Sequence, residues 1–144
     1  ALQMDSANQV NEGDVGEQNN LYNLNYSLGV SILNQSSGTL ELGATIDLEG
    51  NAVQGDANWN ADGGTLGLKA IFGSKLGVLG SGDFNAINYD MITTSVVNRD
   101  SIPRTELNVG TLIGIFTADG HRGVLQVTAV SDTQLGVIYK VWNG

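Results

Sequence analysis

The chain has 144 residues, 41% of them apolar, with twenty glycines, one proline, one histidine, no cysteine and a formal net charge of −9. Its length and apolar content suffice for one domain with its own core, and the lack of cysteine excludes a disulfide framework, a Cys/His zinc site and a thiol nucleophile. The acidic balance argues against a nucleic acid or an anionic membrane surface as partner, since both are recognised through clustered Lys and Arg, and no run approaches the roughly 20 apolar residues of a membrane-inserted helix.

Residues 1–20, ALQMDSANQVNEGDVGEQNN, form a polar, acidic segment with only Leu2, Met4, Val10 and Val15 as scattered apolar residues. Alone it has the composition of a flexible chain. Added as an extended strand to a sheet edge of a neighbouring copy, it would gain affinity from main-chain hydrogen bonds and register from those four residues, the candidate subunit-interface positions. A start at Ala1 without a basic leader fits a mature chain after removal of an export signal, or simple Met excision; the first gives the expected extracellular or cell-surface location.

From Leu21 to Ile32 apolar and polar residues alternate strictly, which predicts a long strand with one buried face. The triplets Asn25-Tyr26-Ser27 and Asn34-Gln35-Ser36 make Asn25 and Asn34 candidate glycan acceptors, with Asn25 on the outward side. After the turn residues of NQSSG, the alternation resumes with Leu40, Leu42, Ala44, Ile46 and Leu48 inward, predicting a second strand in hairpin with the first. Across the next turn, Val53, Ala57, Trp59 and Ala61 continue an inward face, with Gln54, Asp56, Asn58 and Asn60 outward. Leu66, Leu68, Ala70 and Phe72 follow on another inward face, then a break at Gly73-Ser74-Lys75 before Leu76 and Val78.

Between Gly82 and Val97 two patterns compete. Phe84, Ile87 and Met91 are spaced for helical turns with Asp83 as N-cap, whereas Ile87, Tyr89, Met91 and Thr93 alternate and the run to Val97 is β-branched; a strand after a loop is the favoured expectation. Pro103 marks a turn or a sheet edge. The last forty residues read as an antiparallel meander, apolar on both faces and therefore central, with Gly110, Gly114, Gly123 and Gly136 marking bulges, bends or close sheet approach. The expected fold is all-β: residues 21–144 as a single antiparallel β-sandwich or jelly roll of about nine or ten strands, preceded by the extended N-terminal segment 1–20.

Charge is placed unevenly. Residues 1–68 hold nine acids and no Lys or Arg, while residues 69–144 hold six of each sign. That fits a solubilising acidic surface, or an acidic half that meets cations or the more basic half of another copy.

Few residues can carry catalysis. His121 lies in the ADGHRG turn, where an exposed hairpin residue is the ordinary reading; no G-x-S-x-G elbow accompanies it, and the glycine-rich run 64–82 lacks the phosphate-loop pattern. A carboxylate pair for glycoside hydrolysis would need a cleft that sequence does not reveal; an enzyme is not expected. The sharpest candidate is GDANWNADGG: Asn58, Asn60, Asp62 and Gly63 take the first, third, fifth and sixth places of a calcium loop, but Lys69 stands where an EF-hand needs a bidentate Glu. With the EF-hand rejected, the ordinary reading is a solvated strand and turn; the sharper one is a Ca2+ site on Asn58, Asn60 and Asp62, weak unless Asp47, Glu49 or Asp56 joins it, with no cofactor otherwise required. Trp59 between two asparagines would suit a carbohydrate platform if exposed, although period two places it in the core.

The run SGTLELGATIDL, Ser37 to Leu48, resembles the early SGTLDL-type strand of the camelysin and TasA-like family of extracellular fibre subunits. The resemblance spans about a dozen residues, and the chain beyond it departs from that pattern. It implies a jelly-roll domain that polymerises by strand donation. The charge asymmetry, the extended N-terminal segment and the lack of catalytic residues point the same way, and the expected function is a structural subunit of an extracellular fibre or surface assembly, a homopolymer joined by β-strand addition. The alternative is a carbohydrate-binding module, calcium-assisted, built on Trp59.

Overall fold

The computed structural model describes residues 36–46, 48, 55–61, 64–117 and 120–142. They form two antiparallel sheets and no α-helix. The strands are β1 (Ser36–Glu41), β2 (Thr45–Ile46), β3 (Ala57–Asn60), β4 (Gly67–Ala70), β5 (Lys75–Ser81), β6 (Ser101–Pro103), β7 (Thr111–Phe116), β8 (Arg122–Val130) and β9 (Gln134–Val141). One sheet has the order β1-β9-β8-β7-β5 and the other β2-β3-β4-β6. The N-terminal segment, its interface positions Leu2, Met4, Val10 and Val15, the strand 21–32, and Asn25 and Asn34 lie outside the described residues.

The C-terminal meander folds as its pattern predicts, and two separate apolar clusters explain why both faces are hydrophobic. Ile113, Ile115, Leu125, Val127, Leu135, Val137 and Val141 point to one side and pack in a single core with Ile46, Ala57, Trp59, Leu68 and Ile102 of the four-stranded sheet. Leu112, Val124 and Trp142 point to the other side, where Phe84, Ile92 and Val97 of the segment 82–98 cover them. A strand buried on both faces cannot show alternation, because neither parity faces water.

Segment 82–98 departs from the favoured expectation. Instead of a strand it makes two 3-10 turns, Phe84–Ala86 and Tyr89–Met91, the first capped by Asp83, whose carboxylate accepts from the Asn85 N–H at 2.9 Å. Short polar side chains captured the local backbone donors that a strand would have offered to a neighbour. The segment lies close on the sheet because Gly77 and Gly114, directly paired across β5 and β7, present no Cβ. A methyl group at Gly77 would run into the Val96 carbonyl and the Val97 backbone, and one at Gly114 would stand 2.8 Å from Val97 Cγ2.

Two further expectations fail at turns. The continuous strand Leu40–Leu48 is broken at Leu42-Gly43: β1 belongs to one sheet and β2 to the other. Gly43 takes φ +89°, the Ala44 N–H donates to the Glu41 carbonyl at 2.8 Å, and Leu42 is left 52% exposed rather than buried. Likewise Phe72 does not extend the inward face of β4. It sits in the turn between β4 and β5, 65% exposed, with φ +53°. Pro103 is in β6, an edge strand, as its missing N–H requires.

The two sheets are joined along one side. Arg99 exchanges two backbone hydrogen bonds of 2.8 Å with Leu76 at the start of β5, and two residues later Ser101–Pro103 pairs with β4.

Candidate functional site

The stretch around β3 comes first, since it carried the cation and carbohydrate expectations. Alternation holds within the strand: Ala57 and Trp59 are buried, Asn58 and Asn60 half-buried on the other side. Trp59 has no exposed surface. An indole enclosed between two sheets cannot stack on a sugar ring, so the carbohydrate platform is withdrawn.

Asp56 precedes the strand and does not join the outward face with Asn58. It is fully buried, its Oδ2 accepts from the Leu48 N–H at 2.9 Å, and its carbonyl accepts from the Ile71 N–H at 3.2 Å and from the Ser74 hydroxyl. These bonds tie the approach to β3 to the β4–β5 turn. Asn58 lies in a cross-strand row, Thr45, Asn58, Lys69, Ser101. Its amide nitrogen donates to the carbonyls of Gly43 and Ala44, both at 3.1 Å, and to Thr45 Oγ1 at 3.0 Å. Its neighbour in that row is the ammonium-bearing Lys69, a like charge to any divalent cation. Asn60 pairs with Gly67. Asp47, Glu49 and Asp62, the remaining members of the expected calcium set, lie outside the described residues. Among the described residues no three His, Cys, Asp or Glu side chains cluster as metal ligands would.

A constellation that sequence reading passed over lies on the other face of the five-stranded sheet. Arg122 of β8 stacks 4.0 Å above the Tyr89 ring, lies 5.5 Å from the Phe116 ring, and donates to the Tyr89 carbonyl at 3.2 Å. Lys140 of β9 is buried, with its ammonium 4.8 Å from the Phe84 ring, 5.4 Å from that of Trp142, and donating to the Phe84 carbonyl at 3.0 Å. Burial pushes the Lys140 ammonium down to about 8, with the nearby Asp83 carboxylate opposing that shift. Gln126 of β8 donates to the carbonyls of Gly82 and Gly110, both at 3.1 Å. Three side chains of β8 and β9 thus hold the irregular segment by its carbonyls, and aromatic rings enclose both cations. The available signal was a lone lysine inside the apolar run LGVIYKVW.

His121 is half-buried rather than exposed, and its N–H donates to Thr117 Oγ1 at 3.0 Å. Arg99 and Glu106 make a bidentate pair, both bonds 2.8 Å; it holds the Glu106 carboxyl below its ordinary range and raises the Arg99 guanidinium.

The sheet edges differ in kind. β2 has two residues, β6 contains Pro103, and β5 is bulged between Val78 and Gly80 and bridged by Arg99. β1 is six residues long, keeps an unbroken register with β9, contains neither proline nor lysine, and ends the five-stranded sheet among the described strands.

No protein-family model, curated protein or solved structure matches this chain.

Proposed function

We propose that the protein is a structural subunit of an extracellular fibre or surface assembly, a β-sandwich of jelly-roll type whose copies are joined by β-strand addition. The observation that carries this reading is the contrast among the edges. Natural sheets protect their edges with shortness, proline, bulges or charge, and among the described strands three of the four edges use shortness, proline or a bulge. β1 uses none of those three, carries its one charge, Glu41, at its last residue, and leaves Ser37, Gly38 and Thr39 exposed and uncharged. The donor in this reading is the extended segment 1–20 of a neighbour, in which Leu2, Met4, Val10 and Val15 set the register.

The role proposed is mechanical rather than catalytic. Its setting is outside the cell and its partner another copy. Acidic turns at Asp47, Glu49 and Asp62 contribute by gathering Ca2+ in the assembled state, which lowers the repulsion between copies that each carry −9. Deleting residues 1–20 is expected to leave a folded monomer that no longer polymerises, seen by size exclusion and negative stain, while a peptide of residues 1–20 binds that monomer. Normal assembly of the truncated chain would overturn strand donation. A polymer indifferent to EDTA would remove the cation from the proposal.

A further inference from the structure

Segment 82–98 lies on the outer face of β7, β8 and β9 without joining their ladders. Among the described residues, the main-chain to main-chain hydrogen bonds of residues 83–97 all close within the segment, from the Ala86 N–H on the Asp83 carbonyl to the Val97 N–H on the Thr93 carbonyl. Side chains hold it to the sheet. They are the apolar Phe84, Ile92 and Val97, and the donors Gln126, Arg122 and Lys140 on the carbonyls of Gly82, Tyr89 and Phe84. The segment can therefore lift as a local opening that tears no strand pairing.

The cations beneath it lack what the surface cations have. Lys75 pairs with Asp100 at 2.6 Å, Arg99 with Glu106 at 2.8 Å and Arg104 with Asp132 at 3.0 Å. Lys140 and Arg122 form no ion pair among the described residues. Lys140 is 2% exposed and carries three N–H donors, yet its hydrogen-bond partner there is one neutral carbonyl, and Arg122 likewise bonds to one carbonyl. Asp83 acts on Lys140 through space, but its carboxylate is exposed and accepts from the Asn85 N–H. A buried ammonium without a counter-ion is unfavourable where an aliphatic side chain would pack. Val124 pairs with Lys140 and Gly123 with Val141, so Arg122 stands diagonal to Lys140, about 7–8 Å away across the ladder. Trp142 and Phe116 lie beside these two cations, with Leu112 and Val124 in the same apolar cluster. We propose that this face is a binding site for an amphiphilic carboxylate, and that segment 82–98 is a strap that occludes it by imitating such a ligand. The strap's carbonyl oxygens stand where the anionic head would sit, and Phe84, Ile92 and Val97 where the hydrocarbon chain would lie. A carboxylate gives the cations the counter-ion they lack, through hydrogen bonds roughly twice as strong as those between neutral groups. The site does not use β1 and stands apart from the assembly reading.

Decanoate, with uncharged decanol as its control, tests the site on the full chain at neutral pH. Calorimetry should show decanoate binding, and amides of residues 84–97 should exchange faster in its presence while those of β8 and β9 stay protected. Lys140→Met and Arg122→Gln should each weaken decanoate at least about tenfold and leave decanol unchanged. Gly77→Val and Phe84→Ala loosen the strap at different points, so one serves if the other fails to fold. Either should tighten decanoate binding about tenfold, because the strap-open state that binds is more populated. No decanoate binding by a folded strap-loosened variant would overturn the site, as would equal affinity for decanol and decanoate. A loss of decanol binding equal to that of decanoate in Lys140→Met would mark a strap closed more tightly and overturn the carboxylate as ligand. Binding that leaves the exchange of residues 84–97 unchanged would overturn the strap as its occluder.

Discussion

The two faces of the five-stranded sheet are covered by different means. On one face a second sheet supplies Trp59, Leu68 and Ile102, and the contact is side chain against side chain within one continuous apolar core. On the other, segment 82–98 brings only a few apolar residues, and cations and an amide from β8 and β9 grip its main-chain carbonyls. The first arrangement draws its stability from buried area. The second draws much of its own from satisfying polar groups that have no strand to pair with. The inner core should therefore control global unfolding, and the outer cover should open by itself.

The strongest way to break that contrast is Trp59→Ala, which should cost about 3–5 kcal/mol of global stability in denaturant titration and accelerate amide exchange in both sheets together. If exchange instead accelerates only around β3, the two sheets do not share one cooperative core. Gly77→Val forces a side chain against the backbone at Val96 and Val97 and should cost about 1–3 kcal/mol. Amides of residues 84–97 should then exchange faster while those of β8 and β9 stay protected; loss of protection throughout would show that the cover and the core unfold as one.

Lys140 sharpens the comparison through pH. Its folded-state value of about 8 lies below the ordinary 10.5, so between these values the unfolded chain binds more protons than the folded one, and stability rises as pH climbs through that window. Below about 8 the ammonium is charged in both states and its burial is a standing cost. Lys140→Met should flatten the alkaline rise in melting temperature, and an unaltered profile would remove Lys140 as its source. The smallest effect is expected from Glu106→Gln at the surface. The Glu106 carboxyl is held below its ordinary range by Arg99, so the pair's contribution is present at neutral pH and lost as pH falls through the folded-state value. The substitution should give a slight loss at neutral pH that vanishes in high salt; a loss that persists in salt would mark packing rather than charge.

What could be read from sequence follows the same divide. Period two located the inward residues of β3 and β4, and the unbroken apolar runs identified the central meander, because burial on one or two faces writes directly into residue pattern. Turns that redirect the chain do not write so plainly. Leu42 and Phe72 keep the alternation of the strands beside them, yet both are exposed, since a positive φ at Gly43 or across Phe72-Gly73 changes direction without changing hydrophobicity. Asp56 has the parity of Asn58 and Asn60 but is buried, because it serves the backbone of Leu48, eight residues away. The grip of Arg122 on Tyr89 spans 33 residues and that of Lys140 on Phe84 spans 56. Bonds of side chain to distant carbonyl leave no periodic trace, and segment 82–98 was read as a strand for that reason.

The short run Arg99–Pro103, which bonds first to β5 and then to β4, has a mechanical consequence that would matter if the chain carried load in the assembly proposed above. Along that flank the two layers cannot slide past each other or gape without tearing the backbone pairs at Leu76 and at Gly67–Lys69. Tension entering at β1, on the far side of the larger sheet, would therefore meet a riveted seam rather than two leaves free to part, and yielding would begin on the β1 and β2 side.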